Sequence, residues 1–438
     1  MSFFERVGPT VYGKLQPKLY DCQSDAIDSL IDWFQNPNKT NLTAVVVMPT
    51  GSGKTGVICS LPYAFGKSND CLQIDLKKAI LVIAPGMNIL SQLESNFIPK
   101  KSSPSFVTKV GAIGLLELRD EHYKAEKVDD ISELESNLNH IVLTNAQKWH
   151  NRPTEGPTWK DLPNDLFSIV IVDEAHHLPA EQWEQIVAKF RQHAKVIFFT
   201  ATPYRTDGKQ ITTDNAINTQ GYAYRYGDEE AVRERIIRPI EFLPLRFPRG
   251  VLYKYNPSDT RVHKGCINVV TESVISKIEA KDRDAPFPNG KKHTAILIAR
   301  DIMEAGKVVQ LCRADPRVQN DEVGTTHSNL SKQERQWFSK SLDEGKLRVI
   351  VIVSQLLEGF DYPPISVAGI VTRISSTLKF AQFVGRARRI VRFQGKVESD
   401  MVAADVITHE YFEQERVWER FLVRHLIPAH NNAGEDDD

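Results

Sequence analysis

Five short apolar runs punctuate the first half of this sequence: "AVVVM" (44–48), "AILVIAP" (79–85), "HIVLT" (140–144), "SIVIVD" (168–173) and "KVIFFT" (195–200). They are rich in β-branched residues, and none alternates apolar with polar. A strand that is apolar on both faces must have both faces covered, which points to a parallel sheet sandwiched between helices. The intervals are long enough for crossover helices. One of them, "QSDAIDSLIDWF" (23–34), places Ala26, Ile27, Leu30, Ile31 and Phe34 on a single helical face.

The pattern lapses after about residue 206 and resumes at 293. "TAILIA" (294–299) leads into a helical stretch over "IMEAGKVVQLC", then "VGTTH". Next comes "SKQERQWFSKSL", where Ser331 and Glu334 have capping-box spacing. "RVIVIVS" (348–354), "VAGIV" and "ADVIT" supply further strands. A chain of 438 residues exceeds one ordinary core. The expected organisation is therefore an α/β domain over 1–248, a connector over 249–292 and a second α/β domain over 293–427. The acidic stretch 428–438 is expected to be disordered.

Composition excludes some classes. The formal net charge of −1 rules out a surface that is basic all over, so any affinity for nucleic acid must come from local patches. The five cysteines never form a C-x-x-C pair, which argues against a disulfide framework or a zinc ribbon. No apolar run is long enough to span a bilayer, and "MSFFERVGPT" lacks the apolar core of a secretory leader. The expectation is a soluble intracellular protein, cytoplasmic or nuclear, with no membrane partner.

Chemistry enters with "VVVMPTGSGKT". A buried strand, a glycine-rich turn and a helix start make a phosphate-binding loop, here Thr50, Gly51, Ser52, Gly53, Lys54 and Thr55. The glycines let backbone N–H groups converge on phosphate at the helix N-terminus. Lys54 supplies a cation for the β- and γ-phosphates, and Thr55 a hydroxyl for Mg²⁺. Met48 stands where the strict pattern opens with glycine.

"SIVIVDEAHH" places Asp173 and Glu174 at the carboxyl end of another buried strand. Asp173 suits Mg²⁺, and Glu174 suits orientation and deprotonation of an attacking water. The bland alternative is that the acids cap the helix that follows. Loop and acids on neighbouring strands of one unit favour ATP hydrolysis. His176 and His177, following a phosphate-site glutamate, read as packing or coupling residues rather than metal ligands.

The ordered set "MPTGSGKT", "DEAHH", "TATP" (200–203), "EGFD" (358–361) and "QFVGRARR" resembles that of the superfamily-two helicases and translocases. Within them it is similar to the branch of type III restriction motor subunits and excision-repair DNA translocases. The resemblance implies two tandem RecA-like domains with ATP and Mg²⁺ between them. It implies that Gln23, in "LYDCQ", reads the adenine edge, with Tyr20 where the family often has arginine. It implies nucleic-acid contact for Pro85 and Gly86, for Thr144 and Asn145, for Thr326 and for Ser354. Gly359 and Asp361 match a nucleotide-facing motif.

"QFVGRARR" fits the family spacing Q-x-x-G-R-x-x-R at Gln382, Arg386 and Arg389. If the segment is helical, these three share one face while Arg388 points elsewhere. The resemblance implies that Arg386 and Arg389 act as arginine fingers on the γ-phosphate, with Gln382 beside them. Much of the surrounding basic run, Lys379, Arg392 and Lys396, reads equally as solvated surface or phosphate track. The expected function is an ATP-driven motor on nucleic acid, with DNA favoured and RNA an alternative. A nucleic-acid clamp or sensor that does not unwind remains a further alternative, and an accessory protein or domain could serve as partner.

Overall fold

The apolar runs form strands, and every pairing among them is parallel. The computed structural model of the chain describes residues 1–98, 105–112, 125–128, 141–145, 162–177, 180–204, 211, 221–251, 253–353, 362–393, 396–397 and 402–423. Two units divide the chain, Met1–Gly227 and Asp228–Asp438.

In the first unit the described strands are β1 (Ala44–Val47), β2 (Ala79–Ala84), β3 (Ala125–Lys127), β4 (Ile141–Asn145), β5 (Phe167–Val172), β6 (Lys195–Thr200) and β7 (Tyr224–Arg225). Their order across the sheet is β3-β4-β2-β5-β6-β1-β7. Its longer described helices are α1 (Phe3–Leu15), α2 (Asp21–Gln35), α3 (Lys54–Lys67), α4 (Met87–Phe97) and α5 (Ala180–Phe190). Val45, Leu81, Val142, Val170, Phe190 and Phe198 meet in one core. Each such side chain contributes about 1.5–3 kcal/mol by leaving water. The two glycines Gly8 and Gly66 let α1 cross α3 at backbone contact: a Cβ on Gly66 would lie 2.1 Å from the Phe4 carbonyl oxygen.

One expectation is corrected here. The phosphate-loop strand β1 and the acidic strand β5 are not neighbours, because β6 is inserted between them. The strand carrying "TATP" thus touches both, pairing with β1 through Val47–Thr200 and with β5 through Val172–Phe198. Parallel order sends Met48, Pro85, Asp173 and the residues after Thr200 to the same carboxyl edge, where ligands of such sheets bind.

The second unit holds β8 (Ile240–Leu245), β9 (Thr294–Ala299), β10 (Val323–Thr326), β11 (Val349–Val353), β12 (Ile365–Ile370) and β15 (Ala404–His409), ordered β10-β11-β9-β12-β15-β8. A short hairpin, β13 (Arg392–Phe393) with β14 (Lys396–Val397), stands apart from that sheet. The unit's helices include α6 (Asp228–Arg233), α7 (Thr260–Asp284), α8 (Ile302–Ala314), α9 (Lys332–Asp343), α10 (Thr377–Ala387) and α11 (Glu415–Phe421). Both halves of the expected capping box on α9 are present: Glu334 N–H donates to Ser331 Oγ at 3.2 Å, and Ser331 N–H to Glu334 Oε2 at 2.7 Å.

The domain limits also differ from the expected ones. The first unit ends at Gly227 rather than 248, because β8 pairs along its length with β15 of the second sheet. Residues 249–292, expected as a connector, contain the 25-residue helix α7. Cys266, Ile267, Val270, Val274 and Ile278 of that helix enter the second core. The stretch 428–438 lies outside the described residues.

Candidate functional site

The phosphate loop is shaped by two glycines in the left-handed region, Gly51 at φ 93° and Gly53 at φ 89°. Ser52 closes the turn between them, donating to the Pro49 carbonyl from its N–H at 3.2 Å and its hydroxyl at 2.7 Å. Its hydroxyl is therefore committed to the loop. Lys54 opens α3, so the first N–H groups of that helix, which lack helical partners, face the loop. Met48 is fully buried, and the loop uses only its backbone: its N–H donates to Thr200 O at 3.0 Å and its carbonyl accepts from Lys54 Nζ at 3.2 Å. This explains why methionine can replace glycine there.

Lys54 is only 7% exposed and lies 3.4 Å from Glu174 Oε1. Glu174 adopts a left-handed backbone, φ 45°, immediately after β5. Its N–H donates to Asp173 Oδ1 at 2.8 Å, while Asp173 N–H donates to Ile83 O at 2.9 Å and anchors the acid to β2. The Asp173 carboxylate thus binds the N–H of the residue that follows it, not one within the turn Ala175–His177, and is buried at the same edge as the loop.

His176 is fully buried and its Nδ1 lies 2.8 Å from Thr200 Oγ1 and 3.5 Å from Glu174 Oε2. The Thr200 hydroxyl spends its single hydrogen on the Thr202 carbonyl, 2.7 Å away, so His176 Nδ1 is the donor to it. The histidine thereby joins the acidic turn to the strand that separates it from the phosphate loop. Among the described residues no cluster of three or more His, Cys, Asp or Glu has metal-holding geometry.

Gln23 is placed differently from a simple base reader. Its Oε1 accepts from Tyr20 N–H at 2.9 Å, and its Nε2 donates to the Gly53 carbonyl at 2.8 Å. A Cβ on Gly53 would stand 2.4 Å from Gln23 Nε2. The amide therefore braces the loop from the first turn of α2, and only glycine fits at position 53. The half-buried Tyr20 precedes that helix. Backbone donors, a buried cation and the side-chain oxygens of Thr55 and Asp173 suit a nucleoside triphosphate with a hard cation such as Mg²⁺.

The remaining sites divide. Pro85 and the half-buried Gly86 lie at the carboxyl end of β2, where α4 begins. Thr144 and Asn145 are buried, and the Thr144 hydroxyl donates to Val128 O at 3.1 Å, so the structure does not bring them to a surface. Thr326 ends β10 and is half-buried. Ser354, Gly359 and Asp361 lie outside the described residues.

Gln382 and Arg386 occupy α10, but the helix stops at Ala387. Arg389 lies past its end, in an antiparallel bridge with Ile237, so the three residues do not share a helical face as expected. Arg388 is buried, donating from Nε to Arg238 O at 3.1 Å and pairing with Asp228. Asp228 and Arg238 carry no motif, and sequence reasoning passed over both.

Residues 16–205 match the family model described as type III restriction enzyme, res subunit. The chain is 25% identical over 386 residues to "Putative helicase 22" of the Sulfolobus islandicus filamentous virus, covering 86% of this chain and 63% of the viral protein. It is 22% identical over 427 residues to the DNA 3'-5' translocase XPB2 of Sulfurisphaera tokodaii, covering 91% and 83%. The crystal structure of the DUF1998 helicase MrfA bound to DNA and AMPPNP superposes with a TM-score of 0.58 at 15% identity, over 95% of this chain and 53% of that one. That likeness shows the fold, two RecA-like units. The chain spans under two thirds of the viral relative and about half of MrfA. By its motifs and its relatives, the chain is similar to the superfamily-two helicases and translocases, and among them to the type III restriction motor subunits and the XPB-type translocases.

Proposed function

We propose that the chain is an ATP-dependent nucleic-acid motor whose track is DNA. The observation that carries this reading is the carboxyl edge of the first sheet, where Lys54, Asp173 and Glu174 meet beside the phosphate loop and His176 links them to Thr200. The DNA preference follows the relatives named above and not a contact in the structure.

In this reading ATP binds with its phosphates on the N–H groups of Gly51 and of residues 53–55, and the β- and γ-phosphates draw Lys54 away from Glu174. Thr55 and Asp173 would hold Mg²⁺, which would supply charge neutralisation at the phosphates. Glu174, released from Lys54, takes the proton of the attacking water. Arg386 and Arg389 meet the charge that develops on the phosphoryl oxygens, which a planar guanidinium suits better than an ammonium. The His176–Thr200 link carries the change at Glu174 into β6 and the "TATP" turn.

The test is steady-state ATP hydrolysis without polynucleotide and then with single- and double-stranded DNA and RNA, using Lys54→Ala as the blank. Strong stimulation by DNA is expected. Stimulation by RNA alone overturns the choice of track, and binding with a flat, low rate makes the chain a clamp. Arg386→Ala and Arg389→Ala should each bind ATP and lose about 10³-fold or more in turnover, as removal of an arginine finger does elsewhere.

A further inference from the structure

The turn that carries the arginines is fastened by residues the chemistry above does not use. Beyond α10 the Arg388 guanidinium pairs through Nη1 with Asp228, the first residue of α6, and each side chain is at most 7% exposed. Its Nε donates to the Arg238 carbonyl at 3.1 Å. The main chain answers: Arg238 N–H donates to Arg388 O at 2.6 Å, and Ile237 bridges Arg389. Arg238, fully buried, donates from Nη1 to Ala387 O at 2.7 Å and from Nη2 to Pro363 O at 3.2 Å. The carbonyls of Ala387 and Arg388, left over where the helix ends, are thus both taken by Arg238.

Segment 228–239 is itself shaped to make this contact. Two residues past the end of α6 stands a left-handed residue, Arg235 at φ 56°, with Ile236 N–H donating to Ala231 O at 2.8 Å. That cap turns Ile237 and Arg238 onto the arginine turn, and Arg392 Nη2 donates back to Arg235 O. The same segment is separated from β7 by two residues. Tyr226 N–H donates to Val47 O of the phosphate-loop strand at 2.9 Å, and Gly227 is the one residue between Tyr226 and Asp228.

We propose that Asp228 and Arg388 form a positioning pair that fixes Arg386 and Arg389 for turnover, a role that rests on the arginine-finger reading above. A buried ion pair is a poor source of net stability, since desolvation offsets most of its attraction, whereas its geometry is exacting. Arg388 Nη2 is buried without a hydrogen-bond partner among the described residues, a cost that packing alone does not require. Breaking the pair lets the turn shift, and a shift of about 1 Å near reacting groups can cost about a hundredfold in rate.

The experiment compares Asp228→Asn, Arg388→Lys and the double variant Asp228→Leu/Arg388→Met, with Arg386→Ala and Arg389→Ala alongside. The double variant replaces the pair by apolar side chains and should fold even where a single change leaves one charge buried alone. For each, thermal melting, KM for ATP and kcat at saturating DNA are measured. The expected result is a kcat about tenfold to a hundredfold lower in the double variant, with melting and KM near wild type. If the double variant and any single variant that melts normally keep full kcat while the two finger variants lose it, the pair only supports the fold and the proposal is overturned. If Arg386→Ala and Arg389→Ala also keep full kcat, the finger reading itself fails and the positioning role goes with it.

Discussion

Lys54 Nζ lies 3.4 Å from Glu174 Oε1, so the cation proposed for phosphate and the carboxylate proposed for water hold each other in this structure. ATP must separate them. Glu174→Gln removes the base and the attraction together, leaving Lys54 readier for phosphate. The expected outcome is ATP binding equal to or tighter than wild type, with turnover lowered by about 10²- to 10⁴-fold. Equilibrium binding of a fluorescent nucleotide and single-turnover hydrolysis separate the two effects, and unchanged turnover removes Glu174 from the chemistry.

Gln23 joins Tyr20 N–H to the Gly53 carbonyl with the two ends of one amide. A residue that braces the loop affects every nucleotide alike, whereas one that reads adenine affects ATP alone. Gln23→Ala should therefore raise KM for ATP and for GTP by the same factor, about five- to tenfold for the loss of one or two net hydrogen bonds. A loss confined to ATP would return Gln23 to the base-reading role that its motif implies.

Much of this was legible in the sequence, for physical reasons. Strands buried on both faces announce themselves as continuous apolar runs, and β6 and β9 run over the residues expected, 195–200 and 294–299. Strand β8 was missed because it is an edge: Pro244 stands within it and cannot donate to a ladder, which an edge tolerates. Helix α7 was missed because Val, Ile and Thr dilute its helical character. The signal was present nonetheless, in buried positions 263, 266, 267, 270, 274 and 278 at three- and four-residue spacing. Sheet order was not legible, since nothing in the runs says that β6 crosses between β1 and β5. Arg389 left the expected face for a similar reason: Ile237, 152 positions earlier, captures it.

His293 gives the second unit an acid limit. It is fully buried; its Nε2 donates to Ala285 O at 2.8 Å, and its Nδ1 accepts from Ser366 Oγ at 2.7 Å. Burial pushes its pKa from 6.5 down to about 3, helped by the nearby cations Arg238, Lys281 and Arg348 and opposed by the bond to Ala285. Between those values the unfolded chain binds a proton that the folded histidine refuses. Its contribution is complete above pH 6.5 and is lost as pH falls toward 3, at no more than about 1.4 kcal/mol per pH unit. His293→Asn should flatten the dependence of unfolding free energy on pH between 6 and 4, whatever it does to stability at pH 8. Equal slopes in denaturant titrations of the two proteins would show that the group titrates normally.

Gly66 and Gly8 set how closely α1 lies on the helix that begins at Lys54. A Cβ on Gly66 would stand 2.1 Å from Phe4 O, and one on Gly8 would stand 2.7 Å from Tyr63 O. Both obstacles are backbone, which cannot rotate aside as a side chain can. Alanine at either position favours its own helix by about 1 kcal/mol, so an isolated helix would gain. Here the crossing must widen, and Phe4 and Tyr63, edge to face with centroids 5.4 Å apart, must separate. Overpacking of this kind costs about 1–3 kcal/mol and should outweigh the propensity gain. Gly66→Ala is expected to lower the melting temperature more than Gly8→Ala, because its clash is the shorter. Melting followed by circular dichroism decides it: a Gly66→Ala protein as stable as wild type would mean that α1 does not depend on that close crossing.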